Sequence, residues 1–141
     1  MTLEQAANDV NACMRDMAKV YTKPVFDEWL MVSLAGSKGA IFYYAGPRQD
    51  EVKDSFPGDV QTLAEELRGR KHEVGDFAFA RRAEGTHFDA FLVIGENLYL
   101  LCNNTELTMD DIAGSRLWLK ARVPFVQLSE KIREDPLVVS W

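Results

Sequence analysis

Cys102, His87 and Asp89 have the side-chain types of a covalent catalytic site, so their spacing decides whether this chain could be a thiol enzyme. A nucleophilic thiol needs an imidazole within hydrogen-bond reach, and that imidazole needs a third group to orient it. A three-residue loop at 95–97 would place Ala90 opposite Cys102 across a hairpin. Cys102 would then lie on an apolar face and Asp89 on the other face, whereas a turn shifted by one residue would bring the two together. The pattern favours a buried structural cysteine and predicts no catalytic residue.

Other polar groups that could bind a metal or a phosphate lack the spacing that such sites need. Two acidic groups do not have the alternating ligands and central glycine of a calcium loop, and carboxylates at helix N-termini explain them. Their members are Asp50, Glu51 and Asp54, and Glu106, Asp110 and Asp111. The two histidines, His72 and His87, have no cluster of ligands beside them. Residues 36–39 contain two glycines and a lysine but lack phosphate-loop spacing, so they predict a hairpin turn and no cofactor site.

Charge and composition restrict the classes of partner. The 141-residue chain has a net charge of -6 and 47% hydrophobic residues, which is typical of a globular protein with no basic stripe for nucleic acid. The N-terminal residues lack a secretory signal pattern, and no apolar run reaches the ~18 residues that span a bilayer. Two cysteines far apart in sequence indicate a reducing compartment. We therefore expect one α+β domain over residues 1–141 in the cytoplasm, without nucleic-acid binding or membrane insertion.

The first half of the chain predicts a helix, a hairpin and a second helix. Apolar residues recur at spacings of three and four over Leu3–Tyr21, which predicts an amphipathic first helix. We expect that helix to lie on the chain's own sheet, and the alternative is a coiled-coil partner helix. Runs rich in strand formers at 29–34 and 40–45 predict the hairpin. A central helix is expected next, with apolar positions at Val60, Leu63, Ala64 and Leu67.

The second half predicts three more strands and a helical tail. Strand-forming runs lie at 77–80, 88–94 and 98–102, and the last two are apolar at nearly every position. Both faces of the sheet should therefore be covered by helices. Apolar residues at helical spacing continue to Ile132, and Pro124 should kink that helix or divide it in two. The order α-β-β-α-β-β-β-α predicts an α+β fold with a five-stranded antiparallel sheet and helices on both faces.

Three segments in this order of elements resemble Roadblock (dynein light chain type) domains. Residues 39–46, GAIFYYAG, are similar to that family's second strand, in which glycines flank an apolar run. Residues 91–101, FLVIGENLYLL, resemble its last hairpin, and residues 111–117, DIAGSRL, resemble its glycine-containing entry into the final helix. The resemblance implies a Roadblock/profilin-like topology over nearly the whole chain.

The same resemblance implies a function without catalysis, because such domains dimerise and form platforms for small GTPases or motor complexes. They dimerise through the central helix and a neighbouring strand. In this chain that implicates an interface of Val60, Leu63, Ala64, Leu67, Phe77 and Phe79, to which we add the arginines after the strand, Arg81 and Arg82. We expect a non-enzymatic homodimeric scaffold or regulator of a small GTPase. The alternative is a module similar to small acidic secretion chaperones or to sensory domains, and the chaperones have three strands before the central helix.

Overall fold

A five-stranded antiparallel sheet forms the centre of the protein, with its strands in the order β2-β1-β5-β4-β3. The computed structural model describes residues 1–81 and 85–140. The strands are β1 (Glu28–Ser33), β2 (Ala40–Ala45), β3 (Phe77–Arg81), β4 (Phe88–Gly95) and β5 (Leu98–Asn103). The helices are α1 (Leu3–Tyr21), α2 (Gln49–Val52), α3 (Gly58–Arg68), α4 (Met109–Ile112), α5 (Arg116–Ala121) and α6 (Val123–Glu134). The predicted α+β class and five-stranded antiparallel sheet are confirmed.

Helices cover both faces of the sheet because the central strands are apolar at successive positions. On one face, which we call the α1 side, Met31, Leu100 and Cys102 belong to a core cluster with residues of α1, α5 and α6. On the other face, which we call the α3 side, Leu30 and Leu101 belong to a second cluster with residues of α3. A strand that is buried on both faces has no position for an alternating polar residue. This explains the continuous apolar runs in β1, β4 and β5.

The first helix uses its apolar face inside the chain. Thr2 and Gln5 form a capping box that satisfies the backbone at its N-terminus. Val10, Cys13 and Met17 are buried in the cluster on the α1 side. The apolar stripe of α1 therefore packs on the sheet, as expected from the sequence, and a coiled-coil role is not needed to cover it.

The helical tail is divided in two at the position of its proline. α5 ends at Ala121, α6 begins at Val123, and Pro124 lies in the first turn of α6. A proline fits there because the first turn has no intrahelical acceptor for its missing N–H. The predicted interruption is confirmed. The four-residue helices α2 and α4 are too short for a periodic pattern, and in the sequence they are marked only by carboxylates typical of helix N-termini.

The β4–β5 hairpin keeps the predicted register but has a different turn. Ala90 lies opposite Cys102, as expected. The turn, however, contains only residues 96 and 97, because Gly95 pairs with Leu98. The register shifts between Val93 and Gly95. A bulge in β4 therefore absorbs the residue that the sequence assigned to a three-residue loop, which leaves the pairing farther along the hairpin unchanged.

Candidate interaction site

The three residues of the candidate catalytic site do not converge. Cys102 is completely buried on the α1 side of the sheet. Asp89 precedes Ala90, the cross-strand partner of Cys102, so its side chain lies on the α3 side. His87 lies before β4 in an isolated bridge with Thr108. A thiol and an imidazole in these positions do not form the hydrogen-bonded pair that nucleophilic catalysis requires.

Burial keeps both thiols protonated. Desolvation raises the pKa of Cys13 to about 12, and the negative charge of Asp16 adds to the effect. Desolvation also raises the pKa of Cys102 well above its ordinary value, with smaller contributions from Cys13 and Asp89. Because the thiolate is the reactive form of cysteine, neither residue is activated as a nucleophile.

We expect the folded protein to resist thiol reagents at neutral pH. Cys13 and Cys102 should react at least ~100-fold more slowly in the native protein than in urea, because the reagent needs both access and a thiolate. Labelling the single variants Cys13→Ala and Cys102→Ala at several pH values measures the two thiols separately. Rapid labelling of native Cys102 near neutral pH would contradict this prediction and would make a thiol enzyme a candidate function again.

A buried carboxylate at the start of β1 binds several polar groups from other elements. The side chain of Glu28 has no exposed surface. The Tyr44 hydroxyl donates to its Oε2 at 2.6 Å, and Asn104 Nδ2 donates to its Oε1 at 2.9 Å. Arg48 donates from Nε to Oε2 at 3.2 Å and from Nη2 to Oε1. We call these four residues, together with Asp59, the Glu28 cluster.

Arg48 connects the cluster to the N-terminus of α3. Its Nη1 and Nη2 donate to the two carboxylate oxygens of Asp59 at 3.2 and 3.1 Å. Its backbone N–H donates to the Tyr44 hydroxyl at 2.7 Å. The hydrogen bonds to Glu28 raise the pKa of Arg48, so the guanidinium stays charged. Burial and the hydrogen bond to Glu28 raise the pKa of Tyr44 to about 12, so its hydroxyl remains a donor.

The Glu28 cluster has the properties of a structural hydrogen-bond network that joins β1, β2 and α3. Glu28 accepts four hydrogen bonds from three residues, which fills the roughly four lone-pair positions of a carboxylate. Little acceptor capacity is left for a substrate proton or a ligand. The chain passes close to this group at Gly46, where an added Cβ would lie 2.7 Å from the Tyr44 hydroxyl. Glycine at this position therefore allows β2 and the following turn to approach Glu28.

The apolar residues of α3 form core beneath the helix. The four predicted interface residues of this helix are all buried and pack in the cluster on the α3 side: Val60, Leu63, Ala64 and Leu67. Their neighbours include Leu30 and Val93 in the sheet. A second copy could reach these side chains only if α3 left the sheet. With these four side chains buried within the chain, the outer surface of α3 is the part of the helix that is accessible to a partner.

The two predicted interface phenylalanines lie on the opposite face of the sheet. The ring of Phe77 is 5.5 Å from that of Phe125, and the ring of Phe79 is 4.9 Å from that of Trp118, measured between centroids. Both are half-buried against the cluster on the α1 side. The predicted interface is therefore split between two faces of the sheet. Arg81 is exposed at the end of β3, and Arg82 lies outside the described residues.

The strand β3 presents an open edge, since it is the last strand of the sheet. Val93 donates its N–H to the Asp76 carbonyl at 2.9 Å, which marks a hydrogen-bonded pair just before β3. Hydrogen-bonded and non-hydrogen-bonded pairs alternate along antiparallel strands, so the backbone groups of Phe77 and Phe79 point away from β4. On the α3 side, β3 carries the half-buried alanines Ala78 and Ala80. We call this strand, whose outward backbone groups have no strand partner within residues 1–81 and 85–140, the β3 edge.

The part of the chain that the structure describes contains neither a metal-binding cluster nor a membrane-spanning helix. No group of three or more His, Cys, Asp or Glu side chains within 1–81 and 85–140 is placed to hold a metal ion. No helix of that same part of the chain is long and apolar enough to cross a membrane. The acidic residues Asp50 and Glu51 lie in the first turn of α2, and Asp111 caps α4, where carboxylates are favoured.

Similarity to known proteins does not assign a family. No protein-family model matches the chain. No curated protein and no solved structure is significantly similar to it. The surfaces of the chain itself are therefore the basis for inferring what it binds.

The Glu28 cluster escaped prediction although the sequence contains two signals of it. Glu28 directly precedes the apolar run of β1, where a charged residue that joins a buried strand needs a partner. Its partner Arg48 is twenty residues away and reaches it only after the hairpin has formed. The glycine at position 46 was the other visible signal, since a glycine next to a strand end often marks a close approach of two backbones.

Proposed function

We propose that this chain is a non-enzymatic protein-interaction module that forms a homodimer and scaffolds or regulates a small GTPase. The order of elements is the observation that supports it. Two strands precede the central helix α3 and three follow it, which is the order that the Roadblock resemblance implies. The chaperone alternative requires three strands before that helix. The buried, protonated thiols favour a role without covalent catalysis, and two free cysteines fit a cytoplasmic protein.

The β3 edge is the surface best suited to self-association. An open edge strand presents unpaired N–H and C=O groups that can pair with another strand. Two β3 strands pairing antiparallel about Phe79 would continue the sheet across a two-fold axis. Arg81 of one copy would then pair with Phe77 of the second copy, which follows Asp76 in the chain, so an arginine and an acidic residue would lie near each other at both ends of the pairing. The small side chains of Ala78 and Ala80 leave room for close approach of the two copies.

We expect the purified chain to be a homodimer at tens of micromolar and Arg81→Glu to weaken it. Asp76 of the second copy lies one residue from Phe77, the cross-strand partner of Arg81, so the substitution replaces a nearby opposite charge with a like charge at each of two symmetric ends. Light scattering over a concentration series measures the dissociation constant, which should rise at least ~10-fold. Because Arg81 is exposed, the free energy of unfolding should change by less than ~0.5 kcal/mol.

The matched control for this dimer experiment is Lys38→Glu, which makes the same charge change in the loop before β2. Lys38 is exposed and lies next to the edge strand at the opposite end of the sheet from β3. This variant should dimerise like the wild type. A monomeric wild type at tens of micromolar would remove the homodimer from the proposal, and equal weakening by both variants would remove the β3 edge as its interface.

The GTPase part of the proposal is tested by capture from cells in defined nucleotide states. Immobilised wild-type protein is incubated with lysate containing either GDP or a non-hydrolysable GTP analogue, and bound proteins are identified by mass spectrometry. Recovery of a small GTPase in one nucleotide state supports the proposal, because regulators distinguish those states through different contacts. Recovery of no GTPase in either state contradicts it.

A further inference from the structure

A cleft of about 610 Å³ lies between the central helix and the edge strand β2. One wall is the stripe of α3 formed by Gln61, Glu65 and Arg68, beside the buried stripe of that helix. The opposite wall is the start of β2, at Ala40 and Ile41, with the preceding hairpin loop. The connection from α2 to α3 closes the cleft with Val52 and residues up to Phe56. The cleft exists because α3 packs on the central strands and leaves a gap next to β2.

The rim of this cleft carries more positive than negative charge, in a chain whose net charge is -6. Its cations are Lys38, Lys53 and Arg68, and all three side chains are exposed. Within residues 1–81 and 85–140, none of them forms an ion pair. The carboxylates on the rim are Asp54 and Glu65, and Glu65 already accepts a hydrogen bond from Gln61 at 2.8 Å. Three cations without partners next to two carboxylates attract an anionic ligand.

Two of the cations lie at the same end of the cleft. Gly39 follows Lys38 and has a positive φ of 69°, which brings the hairpin close to the end of α3. An added Cβ on Gly39 would lie 3.2 Å from Arg68 Nη2 and 3.1 Å from the ring of Phe56. The third cation, Lys53, belongs to the connection from α2 to α3. The positive charges therefore come from three different segments of the lining, which suits a ligand with several negative charges.

Size and backbone chemistry favour an extended peptide over a small ion. A volume of about 610 Å³ is within the range of clefts that hold whole ligands and is far larger than one phosphate group. Ala40 and Ile41 belong to an edge strand, whose unpaired backbone groups can bind a peptide main chain. The half-buried side chains of Ile41 and Phe56 add apolar surface to the lining.

We propose that the cleft between α3 and β2 binds an extended acidic segment of the partner protein. This assignment rests on the proposed interaction function and adds the chemistry by which a partner is recognised. The acidic side chains of that segment bind Lys38, Lys53 and Arg68, and its backbone lies along the start of β2.

The test is the binding of a fluorescein-labelled peptide of six glutamates, followed by fluorescence polarisation. Wild-type protein is expected to bind it with an affinity that falls as salt is added, and to ignore a peptide of six glutamines. The double variant Lys38→Glu with Lys53→Glu should lose at least ~10-fold in affinity. The neutral double variant Lys38→Gln with Lys53→Gln should have a peptide affinity between that of the wild type and that of the charge-reversed variant.

The matched control is the double variant Arg116→Glu with Lys120→Glu, which makes the same charge change on α5. It should bind the glutamate peptide like the wild type. An equal loss of peptide affinity in both charge-reversed double variants would overturn the assignment, because the net charge of the protein would then explain binding without the cleft. Full competition by inorganic phosphate, or binding to phosphatidylserine vesicles in place of the peptide, would also overturn it in favour of a small anion or a membrane surface.

Failure of this proposal is distinguishable from failure of the proposed function. If the Lys38→Glu, Lys53→Glu variant still dimerises and captures the same GTPase as the wild type, the cleft is not the recognition site and the interaction function stands. If wild-type protein binds the glutamate peptide through the cleft but neither dimerises nor captures a GTPase, the cleft assignment stands and the proposed function is wrong.

Discussion

Replacing Arg48 by methionine is expected to lower the free energy of unfolding by about 3–5 kcal/mol. Arg48 donates to both oxygens of Glu28, whose side chain has no exposed surface. Removing the guanidinium leaves a buried carboxylate without its opposite charge, and that uncompensated charge is the main source of the loss. The connection to Asp59 at the start of α3 is lost at the same time. Urea unfolding measured by circular dichroism gives the change directly.

Two further variants separate this charge effect from a simple loss of side-chain packing. Arg116→Met makes the same chemical change at an exposed arginine of α5 and should alter stability by less than ~0.5 kcal/mol. Glu28→Gln combined with Arg48→Met removes both charges and should recover part of the loss. A loss below ~1 kcal/mol in the single Arg48→Met variant would show that water or another donor already compensates Glu28.

The sequence was sufficient for the architecture because each element carries its own local pattern. The α1 pattern of alternating spacings of three and four identified Leu3–Tyr21 with the bounds that the structure has. The cross-strand pair of Ala90 and Cys102 was predicted from a three-residue loop at 95–97, and it is present because a bulge in β4 offsets the shorter turn. Periodicity is a local property that can be inferred before any tertiary contact is known, whereas register also depends on the turn.

Tertiary placement was less predictable, and the interface residues illustrate why. An apolar stripe on a helix shows that the stripe is buried, and it does not show whether the same chain or a second copy buries it. The stripe from Val60 to Leu67 packs on the chain's own sheet. Phe77 and Phe79 alternate with Ala78 along β3, so they must lie on one face, and only the sheet order shows which helices cover that face.

The central helix also determines which surfaces remain for binding. α3 packs on Leu30, Val32, Val93 and Leu101, in β1, β4 and β5. Both edge strands are consequently left open, β3 at one end of the sheet and β2 at the other. The β3 edge is the proposed self-association surface, and the cleft beside β2 is the proposed acidic-peptide site. Because the two lie at opposite ends of the sheet, a dimer through β3 leaves both clefts free for partners.

Leu67→Ala is expected to destabilise the protein by about 2–5 kcal/mol, and to do so equally at all protein concentrations. Leu67 is only 3% exposed and packs in the cluster on the α3 side, so truncation removes contacts and leaves a cavity within one chain. The matched control is Leu119→Ala on α5, where the leucine is 57% exposed and the change should be within ~0.5 kcal/mol. Urea unfolding at several concentrations, with light scattering on the folded variant, distinguishes core from interface. If Leu67→Ala left the free energy of unfolding of the monomer unchanged and only weakened the dimer, Leu67 would belong to the interface that the sequence predicted.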